Sequence, residues 1–381
     1  MKKKCLIIAS DIGYSAPGIV YKTLITHLMN EYDITLISLN DKVDIPVNSL
    51  PVVSSGIEHN RLEEIFFTFL GINILDYIWL KRQIKIVNED QIENQDLIIS
   101  FASFHNYRSI LLGDYLAARF NKKWIIYSVD AIPAPLGWVS NKVYYNRLKC
   151  YISKYISRAD AFFSSNHQML EYQKKSFIKG NRLTGVVYTP ISNVYEKIFS
   201  SDEDDLILLY TGGLYGPRKK EALLDGFRLL LIDYPKAKMC FVGKYKQNFF
   251  NAYEDLIASG NIEIHSYTND LNKFYSKSTI LIDVNAYFDN DVFLSSKIVN
   301  YLAIKRPILS ITGENSPSRN IFINDPSIFH CKHDKVEIYN KLKLILSQEF
   351  KDWKYRDEYV SDFKVEKVVS DFVKKIKVVT G

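Results

Sequence analysis

Cysteine is scarce in this chain. Four are present in 381 residues, Cys5, Cys150, Cys240 and Cys331, and they stand far apart. None forms a CxxC or Cys/His pattern, so the spacing predicts neither structural zinc nor redox dithiol chemistry, and no metal is expected at the site. Reduced thiols in a cytosolic protein are the simplest reading. Long apolar runs are missing too. No stretch approaches about 18 continuous apolar residues, so nothing is expected to span a bilayer. The first ten residues carry a basic lead and a short apolar run that ends at Ser10-Asp11, which reads as a first strand and not as a signal peptide. Gly-x-Ser-x-Gly, His-Glu-x-x-His and EF-hand patterns are absent, which leaves no sign of a hydrolase triad, a zinc protease or a calcium loop. Nor is there much charge of one sign. Lys and Arg number 49 against 43 Asp and Glu, a net +6. That excess suits an anionic small substrate or a membrane surface and is too diffuse to argue nucleic-acid binding.

What is present is an ordinary globular balance, 47% hydrophobic and 24% charged, which excludes a mainly disordered or collagen-like chain. Short apolar runs recur between helix-length segments. In the first half these are Cys5–Ala9, Ile34–Ser38, Leu97–Phe101, Trp124–Ser128, Ala161–Ser164 and Val186–Tyr188, with helical patterns at Ile19–Asn30 and Arg108–Phe120. The second half has Leu206–Tyr210, Lys238–Val242, Ile262–His265, Ile280–Val284 and Ile308–Ile311, with a helix over Lys219–Leu231. Apolar strands without alternation are buried on both faces, as in parallel sheets. The succession occurs twice, so the expected fold is α/β with two Rossmann-like doubly wound domains. The boundary is expected between Thr189 and Asp205, where Thr189-Pro190 stops a strand and Ser200–Asp205 is polar and acidic. The assignment is a first domain over 1–190, a second over 191–350, and a helix within 351–381, read over Asp352–Lys375, that packs back on the first domain.

Two segments carry the strongest chemical signal. In Leu209-Tyr-Thr-Gly-Gly-Leu-Tyr-Gly-Pro-Arg-Lys-Lys220 a buried strand ends in Gly212 and Gly213, and a helix begins shortly after, with Arg218 and Lys219 near its start. Glycine lets backbone approach a ligand closely. Helix N-termini and cations favour phosphate oxygens. Cations there oppose the helix dipole, so a purely structural reason is weak. In the second segment, Ser295–Leu309, Ser295 or Ser296 can cap a helix whose first turn holds Lys297, again against the dipole, with Asn300 a turn later on about the same face. Lys297 suits a diphosphate and Asn300 a sugar hydroxyl; a capped helix with a solvated lysine would read the same.

Together these segments resemble the retaining, family 4-like glycosyltransferases of the glycosyltransferase B fold. That family opens its second domain with G-R-L-x-x-x-K-G. Gly212-Gly213-Leu214 and Arg218 fall on that spacing, with Arg218 in the lysine's place. Val242-Gly243 matches a later Val-Gly. His265-Ser266-Tyr267-Thr268 matches a loop that contacts the base. Lys297, Tyr301, Leu302, Ala303 and Pro307 match K-x-x-E-Y-L-A-x-G-x-P-I-L. The family's paired acids in E-x7-E spacing would fall on Val292 and Asn300. The match covers about residues 206–320; the first half matches only in plan.

The resemblance implies two domains facing a cleft and transfer of a sugar, with retention, from a nucleotide-diphosphate sugar, commonly a uridine one, and no cofactor. It implies that Gly212, Gly213, Arg218, Lys219, Ser295, Ser296 and Lys297 serve the diphosphate, that Tyr267 lies near the base and Asn300 near the ribose. Arg218 and Lys297 would neutralise charge on the leaving group. The implied setting is bacterial surface-polysaccharide assembly (capsule or O-antigen), in the cytoplasm or peripherally at the inner membrane face, on a glycan or lipid-linked acceptor.

The first half offers fainter signals. Asp11–Gly18 follows the first strand and opens a helix without P-loop or dinucleotide spacing, and the resemblance makes Gly18 a donor-phosphate candidate. Asp130, after a strong strand, could orient the acceptor hydroxyl or act as a base, or simply cap a loop. His105 also follows a strand end. Asp289-Asn290-Asp291 could hold Mg²⁺ beside a diphosphate but reads better as solvated loop acids. Ile65–Leu80, followed by Lys81-Arg82, could be an interfacial surface or ordinary inward-packing helices. Two other functions stay open on the residues: a non-catalytic nucleotide-sugar-binding subunit, and a sugar-nucleotide epimerase on the same fold.

Overall fold

The computed structural model describes residues 2–10, 12–13, 15–38, 45–49, 61–71, 73–104, 106–176, 182–192, 206–268 and 270–381. Side chains at 48, 49, 61–64 and 66 are outside that description. Asp11, His105 and the acidic stretch Ser200–Asp205 lie outside the described residues.

The chain divides into two compact units, Met1–Ser192 with Phe363–Gly381, and Asn193–Asp362. The first is built on a seven-stranded sheet. Its strands are β1 (Lys3–Ala9), β2 (Tyr32–Ser38), β3 (Asn48–Ser49), β4 (Leu97–Ala102), β5 (Lys123–Ser128), β6 (Ala161–Ser164) and β7 (Leu183–Val186), in the order β3-β2-β1-β4-β5-β6-β7. Every pairing is parallel. Every residue of β4 is buried, as a strand covered on both faces requires. One face packs against Val20, Tyr21 and Leu24 of the helix Ala16–Leu28 and against Val368, Phe372 and Ile376 of the helix Val365–Thr380. The other packs against Ile110, Leu111, Leu148 and Ile152.

The second unit carries a six-stranded sheet. Its strands are β8 (Ile207–Thr211), β9 (Lys238–Val242), β10 (Ile262–His265), β11 (Ile280–Val284), β12 (Ile308–Ile311) and β13 (Ile328–Cys331), in the order β10-β9-β8-β11-β12-β13. These pairings are parallel as well. Leu208, Tyr210, Phe241, Ile282 and Leu309 face a core completed by the helices Glu221–Asp233 and Lys335–Leu346. By the period-two alternation of a strand, Cys240, Asp283 and Ser310 face the other side.

Both sheets are doubly wound. In each, the first strand of the domain lies inside the sheet, and strand order reverses between β1 and β4 and between β8 and β11.

Several elements differ from the sequence expectation. The strand expected at Val186–Tyr188 is Leu183–Val186, a sheet-edge strand reading Leu-Thr-Gly-Val that lacks the all-apolar signature. The helix expected from Lys219 begins at Glu221, so Lys219 precedes it. The single helix expected over Asp352–Lys375 is two, Lys354–Phe363 and Val365–Thr380, broken where Lys364 takes ψ 141° as the chain passes from the second unit to the first.

Candidate active site

The C-terminal ends of β8 and β11 bring the two basic segments together. β8 ends at Thr211, and Gly212 follows with φ +90°, a left-handed conformation that favours glycine. Its backbone is held from both sides: the Gly212 N–H donates to the Val242 carbonyl at 2.7 Å, and Tyr245 OH donates to the Gly212 carbonyl at 2.6 Å. Gly243 packs so closely that a Cβ there would come within 2.6 Å of the Gly212 oxygen. Tyr210 OH donates to the Gly213 carbonyl at 3.0 Å.

The helix Ser296–Tyr301 presents Lys297. Ser295 is its cap, its hydroxyl accepting from the Lys297 N–H at 3.2 Å, and Ser296 is its first residue. Tyr301, fully buried, anchors the helix to β8: its hydroxyl accepts from the Thr211 N–H at 3.1 Å and lies 2.9 Å from Thr211 Oγ1. The Lys297 side chain lies across Gly212, where a Cβ would sit 2.8 Å from Lys297 Cε and 3.5 Å from its Nζ. That Nζ is 5.3 Å from the centre of the Tyr210 ring. Asn300, half-buried, is a turn further along the same helix.

Arg218 lies over the Tyr215 ring at 4.9 Å. Burial works against its charge, but Tyr215, Tyr210, Asp283 and Asp291 outweigh that and raise its pKa. Lys297 goes the other way. Burial, and then the neighbouring Arg218, bring it down to about 7, against an opposing pull from Asp283. The site therefore holds one fixed positive charge and one that titrates near neutrality.

Asp283 sits wholly buried in β11, accepting from Asn285 Nδ2 at 2.7 Å and from Ser310 Oγ at 3.3 Å through Oδ2. Among the described residues its Oδ1 has no hydrogen-bond partner, and neither do Asn285 Oδ1 and Thr312 Oγ1. Buried polar atoms are nearly always paired with protein, water or ligand, so a group of them at the strand ends marks a polar seat. Asp291 corrects the reading of its loop: Asp289 is exposed, whereas Asp291 is 1% exposed and contributes to the field at Arg218.

The other candidates are placed less centrally. Lys219 is exposed, its Nζ 6.0 Å from the Tyr287 ring. Tyr267 is 52% exposed, with Lys244 Nζ 5.5 Å from its ring. Gly18 and Asp130 belong to the first unit. Gly18 is not in the loop but in the first turn of the helix Ala16–Leu28, where its N–H donates to Ser15 Oγ at 3.1 Å; the glycine that needs left-handed backbone is Gly13, φ +82°. Asp130 is half-buried after β5, its carbonyl accepting from Ser128 Oγ. Sequence reasoning missed Asp283, Tyr210 and Tyr245, and read Asp291 as a solvated loop acid. Only Asp283, an acid inside the apolar run Ile-Leu-Ile-Asp-Val, gave a sequence signal.

No protein-family model and no curated protein matches the sequence. Solved structures do match in shape. HepE from Anabaena, in complex with UDP and glucose, superimposes with a TM-score of 0.68 at 10% identity, covering 99% of this chain and 100% of that one. A glycosyltransferase from Rickettsia africae gives 0.68 at 13% identity, covering 99% and 98%. The lipopolysaccharide outer core galactosyltransferase WaaB gives 0.63 at 14% identity, covering 99% of each. At such identities the likeness shows the fold: two Rossmann-like α/β domains of the glycosyltransferase B type.

Proposed function

We propose that the chain is a glycosyltransferase that moves a sugar from a nucleotide-diphosphate sugar, UDP-linked, to a glycan or lipid-linked acceptor in surface-polysaccharide synthesis. The observation that carries this is Lys297 lying over Gly212, with Arg218 near enough to act on its charge, at the β8–β11 reversal, where doubly wound sheets bind their ligands. The HepE structure, with its UDP and glucose, lends the same fold to the reading. In it, Arg218 and Lys297 hold the diphosphate and neutralise charge as it leaves. Gly212 shapes the turn under the diphosphate, Gly213, Ser295 and Ser296 offer backbone and hydroxyl donors, Lys219 adds charge at the rim, Asn300 meets the ribose and Tyr267 the base. Transfer retains configuration, with the leaving phosphate helping to deprotonate the acceptor. Gly18 serves the donor phosphates, and Asp130 acts on the acceptor side, orienting the hydroxyl.

A lipid-linked acceptor is supported by the helices Arg61–Leu70 and Ile74–Ile86. Phe67 and Trp79 pack inward, while Phe69, Leu70, Ile74 and Tyr77 are exposed beside the exposed Lys81 and Arg82. Such a face suits peripheral contact with an anionic membrane.

The test is release of UDP from a panel of UDP-sugars in the presence of lipid-linked acceptor extract. Arg218→Ala and Lys297→Ala should each lower transfer by about 100- to 1,000-fold. Near wild-type transfer and donor affinity in both would mean the site is wrong. Donor binding with no turnover on any acceptor would favour the non-catalytic subunit, and an epimer formed without acceptor would favour the epimerase.

A further inference from the structure

The strand pair β9–β10 carries a second cluster of chemistry-bearing side chains. Cys240 on β9 and Glu263 on β10 are direct register partners, and His265 follows two residues later on the same face as Glu263. One sulfur, one carboxylate oxygen and one ring nitrogen from these residues all lie within 4.8 Å of one another. His265 Nε2 is 3.4 Å from Glu263 Oε2. Cys240 is 5% exposed, whereas the Glu263 and His265 side chains are each 41% exposed, so the cluster has a closed floor and an open mouth.

We propose that Cys240, Glu263 and His265 bind a zinc-type divalent cation. A thiolate, an imidazole and a carboxylate together suit zinc and its borderline neighbours and not magnesium or calcium, which take oxygen ligands. Three protein ligands leave a fourth tetrahedral position for water. Ligand bonds of about 2.0–2.3 Å require the three donors to close in by roughly an ångström, which the two exposed side chains can supply by rotation. Binding replaces the S–H bond of Cys240 with a sulfur–metal bond; the proton leaves to solvent and no oxidation is involved. Burial and Glu263 push the free thiol up to about 12, so the cation must supply the compensating charge. Lys238, whose Nζ lies 3.4 Å from Glu263 Oε1, competes for that carboxylate and has a side chain 37% exposed through which to turn out to water.

The cation would tie the edge strand β10 to β9. It would also brace the start of the loop holding Tyr267, since the Gly243 N–H already donates to the His265 carbonyl at 3.0 Å. The four isolated cysteines show no zinc spacing because the ligands come from adjacent strands and meet only through sheet register.

Cobalt(II) titrated into the full chain tests the assignment. One equivalent should give a thiolate-to-cobalt charge-transfer band in the near ultraviolet that zinc(II) displaces. The band should persist in Cys150→Ser, which removes the exposed cysteine, and in Arg218→Ala, and should vanish in Cys240→Ser. Should Cys240→Ser fail to fold, His265→Ala and Glu263→Gln decide, each weakening cobalt binding by more than about tenfold. Absence of the band, its loss in Cys150→Ser, or unchanged affinity in His265→Ala and Glu263→Gln would overturn the site. None of these readouts depends on the donor-site reading.

Discussion

The two sheets place a glycine-bearing loop at the same topological position and finish it differently. After β1, Gly13 takes φ +82°, its N–H donates to the Gly18 carbonyl, and Ser15 caps the next helix, which has proline in its first turn. That helix start is satisfied by its own chain. After β8, Gly212 takes φ +90°, but Lys220, just before the helix Glu221–Asp233, gives it no side-chain cap, and Arg218 and Lys219 come before that. The acid in that helix's first turn, Glu221, is paired with Lys220 at 3.0 Å, which leaves Arg218 and Lys219 as the cations ahead of it. In the proposed function the same fold position is a closed turn in the first sheet and a diphosphate seat in the second, according to whether a hydroxyl or a set of cations ends the loop.

The largest expected effect comes from the scaffold of the second domain, before the starts of β12 and β13, at the end of the sheet away from the Gly212 loop. Arg356 is wholly buried, donating to Asp325 at 2.7 Å and to Ser327 Oγ at 2.6 Å, and also reaching the Ile304 carbonyl at 3.3 Å. Arg356→Ala leaves Asp325 buried and uncompensated, and should cost about 3–5 kcal/mol in denaturant unfolding of the second domain. The first domain, which does not contain this pair, should unfold unchanged.

Next come the glycines. Gly212→Ala combines left-handed strain with a Cβ 2.8 Å from Lys297 Cε, so it should weaken donor affinity as well as stability. Gly13→Ala meets only Lys22 Cδ at 3.6 Å and should cost the backbone strain alone, about 1–2 kcal/mol, with donor affinity intact. Equal loss of donor affinity in both would erase the contrast between the loops.

The pH dependence sharpens it further. Lys297 titrates near 7 in the free protein, so UDP affinity should fall as pH rises through that value and the ammonium is lost. In Lys297→Arg, which stays charged, the profile should flatten. Stability runs the opposite way. The unfolded lysine keeps its proton to roughly 10, so between those two values the unfolded state binds more protons and the unliganded fold gains stability as pH rises. Calorimetric titration and thermal melts over the same pH range check both signs.

The smallest effects belong to the rim. Lys219→Ala and Tyr267→Ala alter exposed side chains and should weaken UDP binding by no more than about tenfold each, within the range of an exposed charge or stacking contact.

The strands could be read from the sequence wherever burial on both faces left an apolar run, unbroken in Cys5–Ala9 and Met239–Val242 and broken by one polar residue in Ile280–Val284. Leu183–Val186 is a partly exposed edge strand with polar and small residues, and in the edge strand Ile328–Cys331 a histidine breaks the apolar run. Arg218 and Lys297 were visible because cations at helix starts oppose the dipole and so ask for a reason. The hydroxyls that hold the backbone around them were not. Tyr210, Tyr245 and Tyr301 look like core aromatics in sequence, and only sheet order turns their hydroxyls toward Gly212, Gly213 and Thr211. The Cys240–Glu263–His265 cluster was hidden for the same reason, because register and not spacing assembles it.

The most direct measurement is the melting temperature with and without UDP, for the wild type, the Arg218→Ala/Lys297→Ala double variant and Asp130→Ala. A ligand that binds only the folded state must raise it. The account predicts a UDP-dependent rise in the wild type and in Asp130→Ala, and none in the double variant. A rise of the same size in the double variant would contradict the assignment of the diphosphate to Arg218 and Lys297.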